Sequence, residues 1–322
     1  MPTRVSVAAA ARLHLGFLDM NGALGRKFGG LGLSIDAPAT RLTLEHAETT
    51  SVFGPDAERA AALLERAAAA HAPGRRYRLV MEEAIPPHSG LGSGTQLALA
   101  VAAALRRLED LPQDVEADAA LLQRGARSGL GAGLFSRGGL VVDGGRGAAT
   151  RTPPVVSRLP FPPDWRILLV SDPTAVGLHG AEERKAFAEL PAFSETDAGR
   201  LCRLVLMQAL PAASEADFAG FGAAITEIQA IVGDYFAPAQ GGRRFTSAAV
   251  ERLLAGLAEA GATGVGQTSW GPTGFAFAPS EAEAQRLAAR ARDMSAAHGL
   301  TIAVVAGLDK GAKIDAVYAR IA

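Results

Sequence analysis

Pro86-Pro87-His88-Ser89-Gly90-Leu91-Gly92-Ser93-Gly94-Thr95-Gln96 is the stretch on which the fold assignment turns. Before it, residues 76–81 alternate, with Tyr77, Leu79 and Met81 on one face, as a half-buried strand does. After it, Leu97, Val101, Leu105 and Leu108 recur every three or four residues, which predicts an amphipathic helix. The quoted stretch is therefore a strand-to-helix turn. Its glycines permit positive φ and close approach to a ligand, so that successive N–H groups converge on an anion. The helix start adds partial positive charge, and Ser93 and Thr95 add hydroxyl donors. A phosphate or pyrophosphate site built from Ser89, Gly90, Leu91, Gly92, Ser93, Gly94 and Thr95 is the functional reading. A turn that binds nothing is the plain alternative. The Gly-Lys-Ser/Thr ending of a Walker A loop is absent.

Working outward, residues 41–45 alternate as a second strand through Leu42 and Leu44, and 56–71 have helical composition. Residues 21–32 combine five glycines with Arg26 and Lys27, a flexible basic loop suited to clamping phosphate or simply solvated. A helix is expected after Asp114, ending near Ser128-Gly129. Residues 150–164 carry Pro153, Pro154, Pro160, Pro162 and Pro163 and read as a connector. Residues 167–170 read as a fully buried strand. Helices then dominate, with Phe218, Phe221, Ile225, Ile228 and Ile231 on one face and Val250, Leu253, Leu254 and Leu257 on another. The C-terminal part reads strand 263–267, strand 274–278, helix 282–297 and strand 301–305, with Ser280 and Glu283 spaced as a capping box. The sum is an α+β chain with domains at 1–160 and 161–322. Between two of these strands lies a second glycine-rich segment. Gln267, Thr268, Ser269 and Thr273 offer donors there, Gly271 keeps the backbone open, and Trp270 offers either a flat face for an aromatic ring or ordinary core packing.

Bulk properties narrow the partners. The chain has 322 residues, 48% hydrophobic and 20% charged, a globular balance. Its net charge of −1 gives no footprint for general nucleic-acid binding, so an anionic small molecule must be held by local donors. One cysteine, Cys202, excludes an internal disulfide and a thiolate zinc cage, and suits a reducing cytoplasm. The N-terminus does not read as a signal peptide, and the Ala-rich runs are too short or interrupted to span a bilayer. The turn Gly177-Leu178-His179-Gly180 before Glu182 and Glu183 reads as a plain helix start or a further anion site.

Residues 86–95 resemble the phosphate-loop motif of GHMP kinases, Pro-x-x-x-Gly-Leu-Gly-Ser-Ser, and 264–274 resemble their C-terminal glycine-rich motif. The run Ala11-Arg12-Leu13-His14-Leu15-Gly16-Phe17-Leu18-Asp19, then Phe28-Gly29-Gly30-Leu31-Gly32, resembles the β-ribofuranosylaminobenzene 5′-phosphate synthase family more specifically. So does Gly266-Gln267-Thr268-Ser269-Trp270-Gly271-Pro272-Thr273. The resemblance implies a GHMP-kinase-like fold, with an N-terminal domain like ribosomal protein S5 domain 2 and a ferredoxin-like C-terminal domain. It implies a homodimer, and a phosphoribosyl transfer that joins a para-substituted benzoate to phosphoribosyl pyrophosphate. Carbon dioxide and pyrophosphate leave, with Mg2+ as companion of the pyrophosphate, on the way to tetrahydromethanopterin. On this reading Arg12, His14 and Asp19 belong to the catalytic run. Arg12, Arg26, Lys27 and Arg137 are the choices for the 5′-phosphate.

GHMP kinases often place an acidic residue after a Ser-Gly pair that leads to a Gly-Gly turn. The equivalent stretch, residues 128–139, contains no Asp or Glu. General-base help is worth ~10²–10⁴-fold, so its absence weighs against hydroxyl phosphorylation. An ATP-dependent small-molecule kinase and a catalytically silent ligand-binding module stay as alternatives.

Overall fold

The structure, a computed structural model, describes residues 1–177, 180–295 and 299–319. In chain order it runs β1 (Pro2–Asp19), β2 (Phe28–His46), β3 (Ser51–Phe53), α1 (Ala57–His71), β4 (Tyr77–Glu83), α2 (Ser93–Leu108), α3 (Val115–Leu121), α4 (Leu130–Arg137), β5 (Leu140–Asp143) and β6 (Val155–Leu159). Then follow β7 (Arg166–Ser171), α5 (Gly180–Glu189), α6 (Glu195–Leu204), a π-helical turn (Val205–Ala209), α7 (Leu210–Glu215) and α8 (Phe218–Phe236). After a 3-10 turn come α9 (Ala248–Glu259), β8 (Thr263–Gln267), β9 (Thr273–Ala278), α10 (Glu281–Ser295), β10 (Thr301–Ala306) and β11 (Lys313–Tyr318).

The long β1–β2 hairpin, paired from Arg4 opposite Glu45 to Asp19 opposite Phe28, is the spine of a seven-stranded sheet. β1 buries Val5, Val7, Ala9, Ala11, Leu13 and Leu15 on alternate positions. Alanines at both parities between 8 and 11 hide that alternation in the sequence, and alanine has little strand preference. α1 and α2 lay Leu63, Leu64, Leu97, Val101 and Leu105 onto Val5, Val7, Leu42, Leu44 and Leu79. Each such side chain, fully buried, contributes about 1.5–3 kcal/mol of transfer free energy.

The second sheet has the order β10-β7-β9-β8, antiparallel throughout. With helices between β7 and β8 and α10 between β9 and β10, it is the ferredoxin-like arrangement. The two layers share one core, in which Leu13, Leu33 and Ile35 of the hairpin meet Phe221, Ile225 and Ile228 of α8 and Phe275 and Phe277 of β9. The layers come close at Gly16, where φ is +144° and a Cβ would come 2.3 Å from Ile228 Cγ2. The last strand does not stay with the second layer. β11 returns to the first sheet and pairs with β1 from Pro2 opposite Tyr318 to Ala8 opposite Lys313.

Three sequence expectations need correction. The helix after Asp114 ends at Leu121, because Gln123 (φ 56°) and Gly125 (φ 75°) turn the chain, and Gly129 instead precedes α4. The proline-rich connector contains β6, an edge strand paired only with β5, and Pro153 and Pro154 stand before it, where no ladder N–H is required. At Ser280 only half of the capping box forms. Its hydroxyl accepts from Glu283 N–H (3.3 Å), while the Glu283 carboxylate turns to Arg286. The expected end of that helix at 297, and Leu178 and His179, lie outside the described residues. No described helix is long and apolar enough to cross a membrane.

Candidate active site

The strand-to-helix turn forms as the sequence predicts. φ is positive at His88 (57°), Gly90 (81°) and Gly92 (83°) and not at Ser89 or Leu91, the alternation that makes an anion-binding nest. Leu91 anchors the loop from below: its side chain enters the shared core, and its carbonyl accepts from Arg12 N–H at 3.0 Å. Ser89 Oγ donates to Pro86 O at 2.7 Å, so this hydroxyl shapes the loop. The N–H groups of Thr95 and Gln96 turn back to Gly92 O, both at 3.1 Å. Those of Gly90, Leu91, Gly92, Ser93 and Gly94 donate to no protein acceptor among the described residues.

The second glycine-rich segment is pressed against the first. A Cβ on Gly90 would lie 2.2 Å from Thr268 O, and one on Gly271 would lie 2.2 Å from Ser89 O. Glycine is required at both places because backbone meets backbone. Thr268 locks the contact: its fully buried Oγ1 accepts from His14 N–H (2.9 Å) and donates to Gly90 O (3.0 Å).

Together these loops wall a cavity of about 420 Å³, to which Arg12, Arg59, Arg124, Ser93, Thr95 and Glu183 also contribute. A Cβ on Gly92 would lie 2.7 Å from Arg12 Cγ, so this side chain runs directly beneath the loop. One on Gly94 would lie 3.3 Å from both Arg124 Nη1 and Arg59 Nη2. Arg59 and Arg124 carry no local sequence signal. Each stands on or after a helix about thirty residues from the loop, and a helical arginine ordinarily reads as a solvated one.

Seven buried side-chain polar atoms lack a partner among the described residues, and five of them belong to Arg12 (Nε, Nη1), His14 (Nε2), Arg124 (Nε) and Trp270 (Nε1). Three of these residues, Arg12, Arg124 and Trp270, line the cavity, so a polar ligand there would give these atoms partners. Burial pushes Arg12 down to about 10, against the pull of Glu183 and Asp143, so it is a cation at neutral pH. Burial, then Arg12 and Arg127, drive His14 to about 3, so this ring is neutral. Glu183 is held by Arg127, whose guanidinium lies 4.6 Å from the Phe187 ring centroid.

Other expected site residues are engaged elsewhere. Arg26 donates to Gly144 O (2.8 Å) and Gly145 O (2.7 Å), and the Lys27 side chain lies against Gly22; neither lines the cavity. Asp19 Oδ1 caps a turn, accepting from Asn21 N–H (2.7 Å) and Gly22 N–H (2.9 Å). Gln267 braces its own loop, through Thr246 N–H (2.6 Å) and Gln240 Oε1 (2.9 Å), and Thr273 meets Ser171 (3.0 Å). Trp270 is 3% exposed and packs on Phe236 and Phe187, at 4.3 and 5.4 Å between ring centroids. Of that segment only Ser269, Trp270 and Gly271 reach the cavity. Residues 128–139 do have a carboxylate beneath them, Asp143, brought from β5 by the fold. Its oxygens accept from Ser128 Oγ (2.8 Å), Gly129 N–H (3.1 Å) and Gly145 N–H (2.9 Å), and burial raises its pKa.

Residues 57–137 match the N terminal domain of GHMP kinases, and residues 209–297 match their C terminal domain. The chain is 32% identical over 287 residues to the beta-ribofuranosylphenol 5′-phosphate synthase of Archaeoglobus fulgidus, covering 84% of this chain and 87% of that protein. To the enzyme of the same name from Methanothermobacter thermautotrophicus it is 30% identical over 294 residues, covering 84% and 88%. Among solved structures, Lactococcus lactis galactokinase complexed with galactose superposes with a TM-score of 0.68 at 16% identity, covering 96% and 95% of the two chains. Mevalonate diphosphate decarboxylase from Staphylococcus aureus gives 0.64 at 14%, covering 98% of each. The kinase and decarboxylase likenesses concern the fold, whereas the synthases match across most of the sequence. The chain therefore belongs to the β-ribofuranosylphenol 5′-phosphate synthase family, pentosyltransferases built on the GHMP kinase fold.

Proposed function

We propose that the enzyme joins 5-phosphoribosyl pyrophosphate to p-hydroxybenzoate, releasing carbon dioxide and pyrophosphate, as a step toward tetrahydromethanopterin. The observation that carries this reading is the row of N–H groups from Gly90 to Gly94 without protein acceptors among the described residues, with Arg12 running beneath it. The relatives are named for a ribofuranosylphenol phosphate, and p-hydroxybenzoate is the acid that yields a phenol ring on loss of its carboxylate.

The diphosphate lies on those amides and on Arg12, which take up the negative charge that grows as the C1–O bond breaks. The ring carbon bearing the carboxylate attacks C1 from the opposite face. The new C–C bond forms, the pair of the C–CO2 bond returns to the ring, and the β-product results from the α-diphosphate. No proton leaves carbon, so no general base is required. This suits Asp143, whose oxygens are engaged by Ser128, Gly129 and Gly145. The acceptor lies beside Ser269, Trp270 and Gly271, the part of its segment that reaches the cavity.

A cage of three or more His, Cys, Asp or Glu side chains is absent among the described residues. The lining nevertheless fits magnesium carried on a diphosphate, for which Glu183 and the Ser93 hydroxyl would be the protein's oxygen ligands. Magnesium, when bound, helps neutralise the leaving group.

The test is incubation with phosphoribosyl pyrophosphate, magnesium and carboxyl-labelled p-hydroxybenzoate. Equimolar release of labelled carbon dioxide and pyrophosphate is expected. ATP consumption with a sugar alcohol, and no carbon dioxide, would sink the reading.

A further inference from the structure

We infer that Arg59 and Arg124 form a separate station for a phosphomonoester dianion, the 5′-phosphate of the sugar, leaving the loop amides and Arg12 to the diphosphate. The inference rests on the reaction proposed above and adds a second anion subsite to it. Of Arg12, Arg26, Lys27 and Arg137, the residues that sequence offered for this role, Arg12 lines the cavity but lies under the diphosphate loop, and the other three do not line it. Arg26 is tied to main-chain carbonyls, and Arg137 lines a different hollow beside α4.

Arg59 on α1 and Arg124 after α3 converge on one point over Gly94, two residues along from the place where Arg12 meets Gly92. Their charges are under-compensated. Asp56 holds Arg59 through Nη1 at 2.8 Å, which leaves Nη2 as the atom facing Gly94. Among the described residues Arg124 has no ion pair and its Nε is buried without a partner, and Arg59 and Arg66 both act on it as like charges. Two guanidinium heads aimed at one point can each donate charge-assisted hydrogen bonds to a phosphate dianion. Room for such a group exists, because a second hollow of about 270 Å³, bounded by Arg59, Arg66, Arg124, Leu63 and Leu122, opens beside the first and shares two of its arginines.

Gly94 supports the same conclusion. It lies in the first turn of α2 without positive φ, where alanine would serve the helix better. The atoms a Cβ would meet there are the two arginine heads. The missing side chain therefore makes space for the pair, at the position where the kinase motif carries its second serine.

Calorimetric titration with ribose 5-phosphate and, separately, with pyrophosphate tests the assignment. In Arg124→Gln the Kd for ribose 5-phosphate is expected to rise about 10–100-fold, the loss typical of a charge-assisted pair, with that for pyrophosphate changed less than about 3-fold. Arg59→Gln, which removes the other head of the pair, is expected to show the same selectivity, and covers the case in which the Arg124 variant fails to fold. Equal loss of both ligands, or loss of pyrophosphate alone, would overturn the second station while the proposed reaction stands. A wild-type protein that binds neither anion would overturn both.

Discussion

Arg12 and His14 stand two positions apart on β1, the first a cation and the second kept neutral by burial and then by that cation. His14 packs its ring 4.5 Å from that of Phe17, with two arginines acting on it, and in the folded chain it protonates only near 3, against 6.5 for a free imidazole. Between these values the unfolded chain binds the extra proton. Stability is therefore full above about 6.5 and falls as pH drops toward 3. His14→Gln is expected to flatten this dependence, read as a smaller loss of urea midpoint between about pH 7.5 and about pH 5 than in the wild type. Arg12→Lys is expected to lower kcat/KM for phosphoribosyl pyrophosphate about 10²-fold with an unchanged melting profile, since a point charge does not replace a fork beneath Gly92. At this scale the sequence was informative where chemistry was local. Ser93 and the glycines around it announced the strand-to-helix turn through their own spacing. Arg59 and Arg124 gave no such signal, because what makes them functional is a loop remote in sequence. Gln267 and Thr268 looked like ligand donors but serve the backbone, a distinction that composition does not carry.

At the level of elements, the site is two glycine-rich turns clamped face to face. Gly90 and Gly271 let the backbones touch, and Thr268 Oγ1 bridges β1 to the phosphate loop. Thr268→Val keeps the shape and removes the bridge, leaving the buried His14 N–H and Gly90 O short of a partner. A loss of about 1–3 kcal/mol in unfolding free energy is expected, together with a raised KM for phosphoribosyl pyrophosphate. Denaturant titration and steady-state kinetics check both; an unaltered KM would mean that the loop holds its shape without the bridge. Strands with mixed apolar and charged residues, such as β4, were legible from their alternation, and so were the amphipathic helices α2 and α9. β1 was not, since alternation among alanines has no contrast. β6 was masked by the prolines that precede it, and α4 by the glycines within it, which report close packing on Thr95 and Val155 rather than a stop.

For the whole molecule, the largest apolar cluster is shared by both layers and β11 returns to β1, so the two halves are joined although each also has a cluster of its own. Thermal unfolding is expected to be one calorimetric transition, and two resolved peaks would contradict the shared core. Removing residues 313–319 is expected to strip the β1 edge and lower the melting temperature by about 5 °C or more, or leave the protein aggregated. The ferredoxin-like half was legible as strand, strand, helix, strand. The crossing of the last strand was not, because register with a partner some three hundred positions away leaves no local mark. Leu91 shows what this architecture means for binding. Its side chain belongs to the same core as Phe221 and Phe277, so the curvature of the loop is set by interior packing before any ligand arrives. Capture of pyrophosphate should then carry little ordering entropy and a small heat-capacity change, since scarcely any apolar surface is covered in the process.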